Sequence, residues 1–254
     1  MARTGYFDAP HPRRLAHRGL SQHQSGIDEN SIAAIEAAMA AGATHVESDT
    51  HATKDGTAVL FHDENLERVA GIQSGISELR IDELQEIKLL NGSTIPTLSE
   101  VFERFPDLYL NLDIKSEQAI EPTVRAIEHH NAHDRVLVSS FSDARRKKAL
   151  RLLSRPVATS ASMKLVILAW ASHTLAFGAG FRAITKEIDA FQIPVSRGPI
   201  KLATRSFIQR AQRFSNEVHF WTINDPMEMK SLLDLGADGI VSDRVDLLTN
   251  LKHS

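Results

Sequence analysis

The chain has 254 residues, 42% hydrophobic and 24% charged, with a formal net charge of −3 and no cysteine. This length suits one α/β barrel, and the composition is that of an ordinary globular protein. It excludes disulfides, thiolate zinc sites and a thiol nucleophile, and it gives no overall field favouring nucleic acid or an anionic membrane.

Met1 to Arg14 carries Arg, Asp and Pro and has no apolar core, so it does not read as a secretory signal. With the absent cysteine, this makes the cytoplasm the expected location. Strand-like and helix-like runs then alternate. Predicted strands are Arg14–His17, Thr44–Asp49, Leu108–Ile114, Arg135–Ser140, Pro156–Ser160, Ala190–Pro194, Val218–Ile223 and Gly239–Ser242. Predicted helices are Ser31–Ala41, Glu117–His130, Asp143–Leu153, Lys164–Ala176, Ala203–Phe214, Pro226–Leu235 and a short one after Asp243. Asn30 is the expected cap of the first helix and Gly42 its end. Asp225-Pro226 caps and opens the penultimate one. The longest apolar stretch, Leu165 to Phe181, is interrupted by His173, Gly178 and Gly180 and is short for a membrane span. A buried or amphipathic helix is predicted there. Eight strand–helix alternations point to a single-domain (β/α)8 barrel over 1–254, with a doubly wound open sheet as the alternative.

The second and third strands are separated by far more chain than one crossover needs. Thr57–Phe61 reads as an extra strand, and Asp82–Lys88 and Leu98–Phe105 as helices, the latter opened by Thr97 with Glu100 at the capping-box position. An insertion over approximately 53–96 on the catalytic face is expected, since long loops there shape pockets.

Polar residues gather at strand ends. Glu47 and Asp49 are two apart on a strand and share a face, which in a barrel is the interior. Inward carboxylates repel unless something positive lies between them, and hard oxygen donors select Mg2+ or Ca2+. The alternative is a pair of solvated loop carboxylates. Asp113 repeats the pattern one strand on as a third ligand, and Lys115 shares its face, suited to a bound phosphate. His17 and His62 sit on separate elements without metal-site spacing, which suits general acid and base roles. Arg18 follows His17 as a phosphate ligand, and Gly19 lets backbone approach a ligand. Asp63 is placed to orient a ring or cap a turn. His51 is either an extra ligand or, preferably, a rim residue. Trp221 and Asn224 end the seventh strand, where an indole packs the barrel top or walls a pocket for an alcohol. Gln192 and Ser139-Ser140-Phe141 are weaker candidates.

Taken in order, His17-Arg18-Gly19, Glu29-Asn30-Ser31, Glu47-x-Asp49-Thr50, Thr53-Lys54-Asp55-Gly56, Val59-Leu60-Phe61-His62-Asp63, Leu112-Asp113-Ile114-Lys115, Trp221-Thr222-Ile223-Asn224 and Gly239-Ile240-Val241-Ser242-Asp243 resemble the glycerophosphodiester phosphodiesterase family. The resemblance implies a (β/α)8 barrel with a small insertion after the second strand. It implies metal ligation by Glu47, Asp49 and Asp113 and acid–base work by His17 and His62. Arg18 and Lys115 would neutralise phosphate, Glu29 and Asn30 would belong to the substrate-binding set, and Trp221 would lie near the alcohol. The implied partner is a small glycerophosphodiester, not nucleic acid. The implied reaction yields sn-glycerol 3-phosphate. A phospholipase D-like enzyme on choline lysolipid or sphingolipid and a non-catalytic phosphodiester-binding barrel are the alternatives. Asp113 stands where this family more often has Glu, as in related phospholipases D, and Ser31 replaces the usual Thr. The stretch Met163–Lys186 matches only in general pattern.

Overall fold

A computed structural model describes residues 4–21, 26–214 and 216–251. Eleven strands are described: β1 (Arg13–His17), β2 (His45–Ala52), β3 (Ala58–Leu60), β4 (Tyr109–Ile114), β5 (Val136–Ser139), β6 (Ala158–Thr159), β7 (Ala190–Ile193), β8 (Ser196–Arg197), β9 (Ile200–Lys201), β10 (Glu217–Phe220) and β11 (Gly239–Ser242). Eleven α-helices accompany them: α1 (Ile32–Ala40), α2 (Glu67–Ala70), α3 (Ile81–Gln85), α4 (Leu98–Arg104), α5 (Ile120–His129), α6 (Asp143–Leu152), α7 (Met163–Leu175), α8 (Phe181–Thr185), α9 (Arg205–Gln212), α10 (Pro226–Leu235) and α11 (Val245–Thr249). The parallel strands run β6-β5-β4-β2-β1-β11-β10-β7, and a bridge between Ser160 and Ala190 joins the two ends. This closure makes the sheet a (β/α)8 barrel and removes the open-sheet alternative.

Strand parity sorts the side chains. On β2 and β4 the alternate residues Val46, Leu110, Leu112 and Ile114 join the apolar layer beneath the helices, while Glu47, Asp49 and Asp113 turn to the barrel mouth. The register places Glu47 beside Asn111 and Asp49 beside Asp113. A second apolar cluster, built on Phe181, Phe191, Phe207 and Phe220, packs the later helices on their strands.

Caps follow local chemistry. Ser31, not Asn30, caps α1: its Oγ accepts from the Ala34 N–H. Asn30 instead adopts a left-handed backbone, φ 55°, and its Oδ1 accepts from Ser48. Asp225 caps α10 ahead of Pro226, and Gly236 ends it at φ 110°. Gly19 lets α1 approach closely: a Cβ there would lie 2.7 Å from Ala34.

The excursion between β2 and β4 folds back on the barrel. Strand β3 pairs antiparallel with β2, which runs on to Ala52, and Val59, Phe61, Leu66, Leu84 and Ile95 form a separate small core. His51 is therefore not a rim residue. It lies within β2, buried, with Nε2 3.2 Å from the His62 carbonyl. Elements without a sequence signal are short: α2, α8 and the β8–β9 hairpin.

The barrel floor is polar. Arg13 is fully buried; its Nε donates to Glu217 Oε2 at 3.1 Å and its Nη2 to Glu217 Oε1 at 2.9 Å and to the Phe7 carbonyl at 2.7 Å. His219 lies 3.0 Å from the same carboxylate. His45 stacks near Tyr6, with Nε2 3.1 Å from the Tyr6 carbonyl. Burial, with the cations His219, Arg13 and Arg14 nearby, pushes the His45 ring down to about 3, although the Tyr6 carbonyl opposes the shift. Below the ordinary imidazole value, about 6.5, an unfolded chain takes up a proton that the folded ring refuses. This contribution to stability is full above that pH and falls as the pH drops towards the folded value, by at most about 1.4 kcal/mol per pH unit. Melting temperature should therefore fall between pH 7 and 4, and more gently in His45→Gln. Parallel curves for the two proteins would exclude this origin.

Candidate active site

One cleft of about 250 Å3 opens at the carboxyl ends of the barrel strands. It is lined by His17, Arg18, Glu47, Asp49, Asp113 and Lys115, with His62 arriving from the insertion. The sequence-predicted acid–base, ligand and phosphate residues thus share one cleft, and Trp221 lines it too. Glu29 and Asn30 do not line the cleft. Glu29 lies behind it, where Arg18 donates to its Oε1 at 3.0 Å.

Three carboxylates crowd the floor. Burial and the neighbouring Asp49 charge push Glu47 up to about 7, with Asp113 adding to the rise and His17 and Lys115 opposing it. Burial likewise raises Asp113 despite the adjacent lysine. The Lys115 ammonium lies 2.6 Å from Asp49 Oδ1 and 2.7 Å from Asp113 Oδ2. Burial would lower that lysine, but attraction to the two carboxylates outweighs it and holds it above its ordinary value. Arg18 Nε lies 3.4 Å from Asp49 Oδ2, near enough for attraction but without hydrogen-bond geometry. The loop that carries Arg18 is left-handed, φ 57°, and is held at both faces: Arg18 N donates to the Glu47 carbonyl and its own carbonyl accepts from Asn30.

Among the described residues, no three His, Asp or Glu side chains are drawn into a closed metal-binding group. The donor set nevertheless fits a hard divalent cation. Glu47 Oε2, Asp49 Oδ2 and Asp113 Oδ1 are each buried and without a hydrogen-bond partner among those residues. Such oxygens are costly to bury unless a cation or a donor answers them. One orphan comes from each predicted ligand.

Each histidine is held by its own carboxylate. His17 Nδ1 lies 2.6 Å from Asp243 Oδ1, and His62 Nδ1 lies 2.6 Å from Asp63 Oδ1. A carboxylate only accepts, so each Nδ1 carries the donated proton and each Nε2 is the nitrogen left for exchange. His17 Nε2 sits 3.8 Å from the orphaned Glu47 oxygen. Burial disfavours the charged His17 ring, but the Asp243 hydrogen bond and the Glu47 charge hold it above its ordinary value.

Asp243 closes one of the matched runs without a role assigned to it, and Arg68 is not among the sequence candidates. Asp243 follows the last strand, and Asn224 Nδ2 donates to its other oxygen at 2.8 Å. Arg68 gathers Asp63 Oδ2 at 2.6 Å and Glu29 Oε1 at 2.6 Å. A run of alternating charges, Asp63–Arg68–Glu29–Arg18, therefore ties the insertion to the barrel. The available signals were the place of Asp243 just after the last strand, in a matched run, and an arginine five residues beyond Asp63. The cleft lining also includes apolar residues. Phe141 and Trp221 meet edge to face, centroids 6.2 Å apart, and Met163 and Val166 stand beside them. Gln192 lines the floor, where Asn111 Nδ2 donates to its Oε1 at 3.1 Å.

The profile of the glycerophosphoryl diester phosphodiesterase family matches residues 17–247. Probable glycerophosphodiester phosphodiesterase 2 of Mycobacterium tuberculosis is 38% identical over 238 residues, spanning 93% of this chain and 89% of that protein. A human lysophospholipase D is 27% identical over 279 residues, spanning 95% of this chain and 86% of that protein. The structure of an Oleispira antarctica phosphodiesterase in complex with the product sn-glycerol-3-phosphate superposes with a TM-score of 0.71 at 25% identity, covering 95% of this chain and 96% of that one.

The carboxylate behind His17 makes one outcome measurable without substrate. In an NMR titration the His17 ring should titrate above the free imidazole value, and Asp243→Asn should lower it. An unchanged His17 titration in that variant would show that Asp243 does not support the ring.

Proposed function

The chain belongs to the glycerophosphoryl diester phosphodiesterase family, and we propose that it hydrolyses glycerophosphodiesters to sn-glycerol 3-phosphate and a free alcohol such as choline or ethanolamine. The observation that carries this reading is the facing of two carboxylate-anchored histidines onto a floor of three buried carboxylates and one lysine. Phosphodiester cleavage requires that combination: charge neutralisation at phosphorus, and one proton removed while another is delivered. The Oleispira phosphodiesterase binds sn-glycerol 3-phosphate on the same fold, which supports that half of the substrate.

Glu47, Asp49 and Asp113 would hold one Mg2+ or Ca2+, hard ions suited to an all-oxygen set. When bound, that ion supplies Lewis-acid stabilisation of charge at the phosphoryl oxygens. Lys115 and Arg18 add positive charge to the same end of the cleft and orient the phosphate. One of His17 and His62 takes the proton of the attacking hydroxyl: water yields glycerol 3-phosphate directly, whereas the glycerol 2-hydroxyl yields a cyclic phosphate that a second attack by water opens. The other delivers a proton to the departing alkoxide. Asp243 and Asp63 keep each ring in the tautomer this exchange needs. Trp221 and Phe141 bound the alcohol side.

The apolar residues lining the cleft favour a second reading, cleavage of choline lysolipids; the human relative is named a lysophospholipase D. Greater turnover of lysophosphatidylcholine than of glycerophosphocholine would favour it. The non-catalytic alternative finds no support, since every predicted acid–base and ligand residue lines the cleft.

Coupled detection of glycerol 3-phosphate from glycerophosphocholine tests the main reading. Turnover is expected, and His17→Ala and His62→Ala should each lower kcat by about 10²–10⁴-fold with unchanged melting temperature. Near-normal turnover in either variant would refute the paired roles. Chelation should abolish activity, and added Mg2+ or Ca2+ should restore it. Activity that survives chelation would remove the metal from the scheme.

A further inference from the structure

Barrel helices bury one face and present polar residues outside, and α7 does not. Val166, Ala169 and Ser172 are buried, with Val166 and Ala169 in the core of the later helices, but the outward residues include Ile167, Leu168 and Leu175. Leu175 is 73% exposed, and Phe177 in the following turn is 89% exposed. Lys164 is the one charged side chain on the helix. Exposed apolar surface of this continuity marks a contact face.

The face has a definite charge. Nine of the chain's 29 Lys and Arg lie within residues 144–186, which contain no Asp or Glu. The remainder carries 20 cations against 32 carboxylates. Several of the nine are used internally: Arg146 bonds Asp143, Lys148 bonds Glu117, and Lys147 pairs with Asp143 and reaches Glu187. Lys164, Arg182 and Lys186 are exposed and form no ion pair among the described residues. Beyond the end of α7, a shallow depression brings Arg182 and Lys186 together with the ring of Phe214.

We propose that α7, the Phe177 turn and α8 form a docking surface for an anionic lipid bilayer. Apolar side chains flanked by cations are what the headgroup–acyl boundary accepts from a helix lying in its plane. A second copy of the chain suits the face poorly, because a two-fold contact would set its cations against themselves. The surface also continues into the cleft. Met163 and Val166, from the first turn of α7, are part of the cleft wall. No described helix is long and apolar enough to cross a membrane, so the contact is one of lying on the surface. Docking in this way sets the cleft mouth beside the layer that supplies lipid headgroups, whichever diester is cleaved.

The full chain is sedimented with vesicles of phosphatidylcholine alone, or mixed equally with phosphatidylglycerol, at low and high salt. Binding to the anionic vesicles at low salt is expected to exceed binding to the neutral ones by about tenfold, and to weaken at high salt. Ile167→Asp with Leu168→Asp, and separately Arg182→Glu with Lys186→Glu, should each lower it by about tenfold. These side chains are exposed, and unchanged melting temperatures verify the fold. The proposal is overturned if the wild-type chain ignores anionic vesicles or if both double variants bind like the wild type. It is equally overturned if sedimentation equilibrium without lipid reveals a dimer that Ile167→Asp with Leu168→Asp disperses.

Discussion

Three carboxylates share the mouth of a barrel, and the surrounding structure answers their mutual repulsion. Like charges at hydrogen-bonding range, away from water, are tolerated only where cations or protons balance them. Lys115 bridges two of the three, Arg18 leans on the second, and Glu47 is pushed towards neutral pH. The proposed divalent ion and phosphate would answer the same imbalance, which would otherwise destabilise the barrel. Arg18 stands beside Asp49 on a left-handed backbone that is tied to Glu47 and Asn30 by main-chain hydrogen bonds.

The histidines depend on a second layer of charge that comes from distant parts of the chain. Asp243 reaches His17 across 226 positions of sequence, and Asn224 steadies Asp243 in turn. His62 arrives on the excursion between β2 and β4. Its placement rests on the small separate core of that excursion and on Arg68, which clasps Asp63 and Glu29 together. Glu29 stands one step behind the cleft, paired with Arg18 and Arg68. Asn30 Oδ1 likewise accepts from the Ser48 hydroxyl on β2.

A net charge of −3 conceals an uneven distribution. The acid-free segment 144–186 contains α7, whose outer face is apolar, while all 32 carboxylates lie in the rest of the chain. A whole-chain sum averages these regions away, although electrostatic attraction falls off within about a Debye length and so responds only to local charge. The expectation of a buried or amphipathic helix here fails for a related reason. Apolar residues recur on every side of α7, so periodicity carries no phase from which to tell an inner face from an outer one.

The sequence by itself determined the eight barrel strands in order and the parity that turns Glu47, Asp49 and Asp113 inward, because a side-chain period of two and strand-ending polar residues are local properties. It also marked His17 and His62 through their neighbours. Only the tertiary structure decided what depends on chain segments meeting. Closure through Ser160 and Ala190, the pairing of β3 with β2 that carries His62 to the cleft, and the support of Asp243 and Arg68 are contacts between residues far apart in the chain. So is the buried Arg13–Glu217 pair at the floor. A run of residues records what a strand prefers to bury. It does not record which distant charge will stand beside it, because that is set by how the barrel closes.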